Sequence, residues 1–241
     1  MKNDDITLRH CVLDNGRINL ILSDSRLTLP ILPKVDLIVT DNPYLLTSGG
    51  KNTGGMKGIF APSRYDNSGQ ICKCDIKFSD WLPLAYDVLK PDSQAYFFAN
   101  SKNIFPLYNE AIKSGFDFHN LLSWDKRIKT PNRWYMNCYE FILFFKKGKA
   151  KTINMPGSCQ KLEYRNPRNK DHPNQKPVEL FEELILNSSQ PDDIVLDPFM
   201  GTGASALAAI KTGRQYYGIE IDNDNFLKAV NKVRLELANR K

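Results

Sequence analysis

Short apolar runs alternate with helix-period stretches along most of the chain. Residues 18–22 (INLIL) form a continuous apolar run of strand length, and Leu27, Leu29 and Leu32 suit a short helix behind it. Residues 35–39 form a second apolar strand, which runs out at Thr40-Asp41-Asn42-Pro43-Tyr44. A helical pattern covers 76–89, a buried strand covers 94–98, and Ser101 stands where a helix cap belongs. Two more strands are expected at 116–124 and 139–145, joined by a basic segment, after which 147–175 shows neither period. The last third is sharper. Pro177 suits the first turn of a helix whose Glu179, Glu182 and Glu183 lie toward its positive end. Residues 194–196 read as a buried strand ending at Asp197, 204–211 as a small-residue helix stopped by Gly213, and 215–221 as a strand ending at 220–222. Phe226, Val230, Val233 and Leu237 then recur at helical spacing as one apolar stripe. Strands alternating with helices predict an α/β fold, a single domain over 1–241 with a mostly parallel sheet.

Composition narrows the class. With 241 residues, 41% hydrophobic and 25% charged, the chain suits one well-filled core. No run of about 18 apolar residues exists, so no membrane span is expected. The N-terminus is polar where a signal peptide carries an apolar run, which predicts a cytoplasmic protein. Of five cysteines, Cys72 and Cys74 are spaced C-x-C and Cys11, Cys138 and Cys159 stand alone. That is no zinc spacing; reduced thiols and no metal are expected. The net charge of +6 suits a polyanionic partner. The positive residues cluster: Lys126, Arg127, Lys129 and Arg133, then Lys146, Lys147, Lys149, Lys151, Lys161, Arg165, Arg168 and Lys170. Residues 45–75 are rich in Gly, Ser, Asn and Lys, a long loop of the kind that binds or covers something.

The chemistry concentrates at strand ends. Asp197-Pro-Phe-Met-Gly-Thr-Gly203 joins a strand to a helix, and Gly201-x-Gly203-x-x-Ala206 with Glu220 downstream matches the spacing of a dinucleotide fingerprint. The glycines let backbone approach a ligand, and Glu220 is positioned to take ribose hydroxyls. An NAD-dependent oxidoreductase is therefore one reading. Against it, Asp197 lies where a pyrophosphate would approach; a carboxylate there repels phosphate and suits an ammonium group. A dinucleotide fold would also continue with further strand–helix units after Glu220, and here only one helix follows.

Three segments together resemble the amino-methylating DNA methyltransferases of the β arrangement, which act on adenine N6 or cytosine N4. DPFMGTGAS (197–205) with GIEID (218–222) is similar to their methionine-and-ribose site. HPNQKP (172–177) resembles the segment that precedes it, and Asp41-Asn42-Pro43-Tyr44 resembles the catalytic D-P-P-Y. The resemblance implies a Rossmann-like S-adenosylmethionine fold, circularly permuted, a mixed sheet with one antiparallel strand; the strand at 18–22 completes the sheet begun at the C-terminal end of the sequence. It implies S-adenosylmethionine as cofactor, bound by Asp24, Lys176, Asp197, Phe199, Gly201, Thr202, Gly203, Glu220 and Asp222, with Asp24 toward the adenine ring and Phe199 toward the methionine end. Double-stranded DNA is the implied partner, with the target base extruded. Asp41 and the Asn42 carbonyl would accept the two amine hydrogens, Pro43 would restrain Asn42, and Tyr44 would stack on the base. Aspartate at 41, where N4-cytosine enzymes usually carry serine, favours adenine. His172 reads as mainly structural, and Trp124 as either a wall of the base pocket or core. Residues 47–70 and 147–171 are the expected DNA-contacting loops. Asn42 departs from the family's proline, so a catalytically impaired SAM- or DNA-binding relative stands beside the active enzyme as a second reading.

Overall fold

The computed structural model describes residues 9–43, 76–130, 135–149, 151–167 and 176–240. Nine strands form one sheet: β1 (Arg9–Leu13), β2 (Ile18–Leu22), β3 (Val35–Thr40), β4 (Leu89–Ala99), β5 (Asp117–Thr130), β6 (Asn137–Lys147), β7 (Lys161–Glu163), β8 (Ile194–Asp197) and β9 (Gln215–Glu220). The helices are α1 (Ser25–Thr28), α2 (Phe78–Val88), α3 (Ile104–Lys113), α4 (Val178–Ser188), α5 (Ala204–Lys211) and α6 (Asn223–Ala238). The strand order is β1-β2-β9-β8-β3-β4-β6-β5-β7. Strands β2, β9, β8, β3 and β4 are parallel neighbours, whereas β6 runs antiparallel to both β4 and β5. The expected single antiparallel strand is β6; β1, antiparallel to β2, adds a second at the edge.

The apolar runs are continuous because helices cover both faces of the sheet. Along β4, Tyr96 and Phe98 point to one face, where Leu180, Leu184, Ala206, Phe226 and Val230 from α4, α5 and α6 meet them. Ala95, Phe97 and Ala99 point to the other, against Trp81, Leu82, Leu107 and Leu29. The same alternation on β3 sends Leu37 and Val39 one way and Val35 and Ile38 the other.

Several expectations shift in detail. Asn103, not Ser101, precedes α3, and Pro177 is the residue before α4, not its first. β1 and β7 were not expected: the first is a half-exposed edge and the second only three residues long, too short for a period to register. Strands β5 and β6 extend as a hairpin past the sheet, with a register shift between Asp125 and Thr130 where Arg127 takes a positive φ of 55°. No helix among the described residues is long and apolar enough to cross a membrane.

Candidate active site

The C-terminal ends of the parallel strands lie along one edge of the sheet, which gathers Asp24, Asp41, Asp197 and Glu220 from four distant stretches of sequence. In open α/β sheets this edge is where ligands bind.

Asp197 ends β8 and is buried. Its Oδ1 accepts hydrogen bonds from Thr40 Oγ1 (2.6 Å) and the Phe199 amide (3.0 Å), and its Oδ2 from Ser205 Oγ (2.5 Å). Burial pushes its carboxyl up to about 6, against those hydrogen bonds and with help from the Asp41 charge. Through these bonds the Asp197 carboxylate ties β3, the turn and α5 together. Gly201 and Gly203 follow in the left-handed region, with φ of 53° and 85°. A Cβ on Gly201 would meet nothing within 4 Å, so this stretch of backbone is open to a ligand. A Cβ on Gly203 would meet Ala229 of α6 at 3.0 Å, so this glycine serves packing. Thr202 is buried between them. Phe199 turns its ring edge-on to Trp81, with centroids 5.1 Å apart.

Glu220 ends β9. Burial raises its carboxyl above the usual range, opposed by backbone amides of Asp222, Ile221 and Gly201. It therefore laces the glycine turn to β9. Asp222 caps α6 through the Asn225 amide (2.8 Å). Asp24 likewise caps α1 through the Arg26 amide (2.8 Å), and the Arg26 guanidinium, 2.5 Å away, holds its carboxyl below the usual range.

Asp41 follows β3 and is met by Lys176: Nζ lies 2.7 Å from Asp41 Oδ2 and 3.1 Å from Glu140 Oε2. Lys176, expected among the cofactor-binding residues, joins two carboxylates. Glu140 on β6 takes a second cation, Lys126 of β5, at 3.1 Å on Oε1. Burial drives the Glu140 carboxyl up, and Lys176 and Lys126 outweigh it, holding the group below its ordinary value. Trp124 is fully buried and its indole donates to the Tyr164 carbonyl (2.8 Å), a core residue beside Lys176. Asn42 is 1% exposed, and among the described residues neither its side-chain oxygen nor its nitrogen has a hydrogen-bond partner. Pro43 is half-buried. Tyr44, His172, Cys72, Cys74 and the whole 45–75 loop lie outside the described residues.

Sequence reasoning missed Thr40 and Ser205 as parts of this site; Glu140, by resemblance on a strand flanking the target-base pocket, gains its ion pairs only here. Thr40 and Ser205 sit within the motifs, but a hydroxyl in a strand end or a helix gives no sign of its acceptor. In and beside the 147–171 segment, Lys147 donates to the Tyr86 and Leu89 carbonyls, Lys146 pairs with Asp117, and Lys161 pairs with Asp125 and Glu163. Arg127 pairs with Glu163 likewise. Cys11, Cys138 and Cys159 are free thiols.

A family model for N6/N4 DNA methylases matches residues 35–231. The chain is 29% identical over 226 residues to the Type II methyltransferase M2.DpnII of Streptococcus pneumoniae, covering 85% of this chain and 84% of that protein. It is 28% identical over 217 residues to M2.MboI of Moraxella bovis, covering 77% and 76%. Among solved structures, the M1.HpyAVI–SAM complex is similar at a TM-score of 0.69 and 26% identity, over 89% of this chain and 99% of that one. PvuII DNA methyltransferase, cytosine-N4-specific, has the same TM-score at 18% identity over 92% of each chain, a likeness of fold.

Proposed function

The chain belongs to the N6/N4 DNA methylase family, and we propose that the amine it methylates is N6 of an adenine extruded from duplex DNA, with Asp41 and the Asn42 carbonyl accepting the amine hydrogens. The observation that carries this reading is Asp41: an aspartate just beyond β3, on the edge where the glycine turn and Glu220 meet, with its carboxylate oriented by a buried lysine.

S-adenosylmethionine is the family's cofactor and supplies an electrophilic methyl group. The residues here fit it. Gly201 leaves open space beside its backbone, and Glu220 offers an acceptor at the end of β9 suited to ribose hydroxyls. Phe199 and Asp24 stand at two strand ends on either side of that stretch.

An exocyclic amine on adenine is a weak nucleophile because its lone pair is delocalised into the ring. Two acceptors on its hydrogens draw the nitrogen toward tetrahedral geometry and localise that pair. As the new N–C bond forms from the pair, the methyl's bond to the cofactor's sulfonium sulfur would break, leaving a neutral thioether, and the nitrogen sheds one proton, for which Asp41 would be the acceptor. Positioning and preorganised dipoles supply the rate, and by family resemblance Tyr44 holds the base by stacking. Asp41 favours adenine over cytosine by the same resemblance. Asn42 retains the carbonyl that the family's proline provides.

Nucleoside mass spectrometry on unmethylated duplex and single-stranded DNA, incubated with the protein and S-adenosylmethionine, tests the reading. N6-methyladenine is expected, with Asp41→Ala lowering turnover by about 100-fold or more. N4-methylcytosine would overturn the choice of base, and a signal from single strands alone would overturn the duplex. Silence from the native chain with activity from Asn42→Pro would establish the impaired relative instead.

A further inference from the structure

The structure assigns Lys176 to the catalytic carboxylate as its positioning residue, the centre of an ion ladder Asp41–Lys176–Glu140–Lys126 that ties the reacting site to the base of the β5–β6 hairpin. The assignment rests on the proposed role of Asp41 in methyl transfer. Three observations carry it. The Lys176 ammonium is 2.7 Å from Asp41 Oδ2 and 3.1 Å from Glu140 Oε2, while Lys126 meets the other Glu140 oxygen at 3.1 Å. Lys176 is 6% exposed, whereas Asp41 keeps a quarter (25%) of its side-chain surface accessible, so the cation lies behind the carboxylate and the carboxylate faces outward. The ammonium also lies over the rings of Trp124 and Phe98, 5.9 and 6.0 Å from their centroids, and Trp124 is anchored by its indole to the Tyr164 carbonyl.

The physical consequence follows from the two oxygens of Asp41. An ammonium on Oδ2 fixes the rotation of the carboxylate and so the direction in which it accepts an amine hydrogen. A buried lysine shared by two carboxylates cannot swing toward the cofactor without breaking both ion pairs. Lys176 also sets the charge of Asp41. Among the described residues, the charged groups around that carboxylate include Lys176 from the segment before α4, Glu140 from β6 with Lys126 behind it, and Asp197 from β8, whose own carboxyl responds to the Asp41 charge. Lys176 is the cation among these in contact with Asp41, and Glu140 and Asp197 both oppose ionisation. Without Lys176, Asp41 protonates at higher pH and loses its capacity to accept the hydrogen.

Lys176→Met tests this, with Lys176→Arg as the rescue and Lys176→Met/Glu140→Gln, read against Glu140→Gln, as the companion that leaves Glu140 no charge to be stranded. Three readouts are taken: the pH profile of kcat/KM for DNA, the affinity for S-adenosylmethionine by calorimetry, and the titration of the Asp41 carboxyl by carbon-13 NMR, assigned with Asp41→Asn. Loss of the cation is expected to move the acid limb and the Asp41 titration upward by about one pH unit or more, a roughly tenfold loss on the acid side. Arginine restores most of it, and cofactor affinity stays within about threefold. An Asp41 titration that does not move from the native chain to Lys176→Met, or from Glu140→Gln to the double variant, overturns the assignment. So does a cofactor affinity that falls tenfold or more while the pH profile stays still, since that is the pattern of a pocket-closing lysine. The titration needs no turnover, so an inactive native chain would overturn the proposed methyl transfer and leave Lys176 to be decided by NMR alone.

Discussion

At Asp197 one carboxylate joins three pieces of chain, and its titration is readable in stability. Its folded value of about 6 stands above the ordinary 3.8 because burial disfavours the charge. The folded protein therefore holds this proton more tightly than the unfolded chain does. That stabilisation is complete below about pH 4 and is lost as pH rises through about 6. Asp197→Asn keeps the shape and the acceptor for Thr40 and the Phe199 amide. The Ser205 hydroxyl, also 2.8 Å from the Tyr216 hydroxyl, can turn to accept from the new amide. Thermal unfolding followed against pH is expected to flatten between pH 4 and 6, with the variant more stable at pH 7 by up to about 3 kcal/mol. Calorimetry on the same variant separates scaffold from ligand contact. Unchanged affinity for S-adenosylmethionine keeps Asp197 in the scaffold, and a tenfold fall would return it to the cofactor's ammonium.

Among the elements, the turn from β8 into α5 divides its two glycines between jobs. Both are left-handed, which costs an alanine about 1–2 kcal/mol. Gly203 also packs against α6, where an added Cβ would lie 3.0 Å from Ala229 Cβ and 3.2 Å from its Cα; both contacts are too rigid to yield cheaply. Gly203→Ala is thus expected to destabilise by about 2–4 kcal/mol in urea titration. Gly201→Ala, with open space around the new methyl, should cost no more than about 2 kcal/mol yet weaken S-adenosylmethionine binding sharply. Equal stability losses, or cofactor binding spared in Gly201→Ala, would contradict this division.

Over the whole molecule, the positive charge is less available than its count suggests. Arg127, Lys146, Lys147 and Lys161 are taken up by carboxylates or carbonyls of the fold, Arg127 and Lys161 while remaining exposed; Lys129, Lys149 and Lys151 are exposed as well. The last three flank the hairpin and the strand that follows it, and DNA is the polyanion the family acts on. Replacing them by glutamine should lower DNA affinity and reduce the slope of log K against log salt by roughly 2–3. An unchanged slope would remove this surface from the DNA interface. The same replacement at Lys147 should lower the melting temperature instead, because its ammonium binds the Tyr86 and Leu89 carbonyls and the Tyr86 ring.

The sequence by itself determined the α/β class, most strand and helix positions, and the three motifs that name the family. Each of these is local: an apolar run buried on both faces, an i, i+4 stripe, a glycine turn between a strand and a helix. It also implied that the site lies on one edge, because Asp24, Asp41, Asp197 and Glu220 all fall at strand ends. Only the tertiary structure decided which groups those carboxylates touch. Lys176 meets Asp41 from 135 residues away, Thr40 meets Asp197 from 157, and Glu140 enters through β6. Such pairs leave no period in the chain, since a buried ion pair or hydroxyl contact is set by how the strands are ordered across the sheet. For the same reason the added edge strand β1 and the three-residue β7 escaped notice: their partners, β2 and β5, supply the hydrogen bonds that make them strands at all.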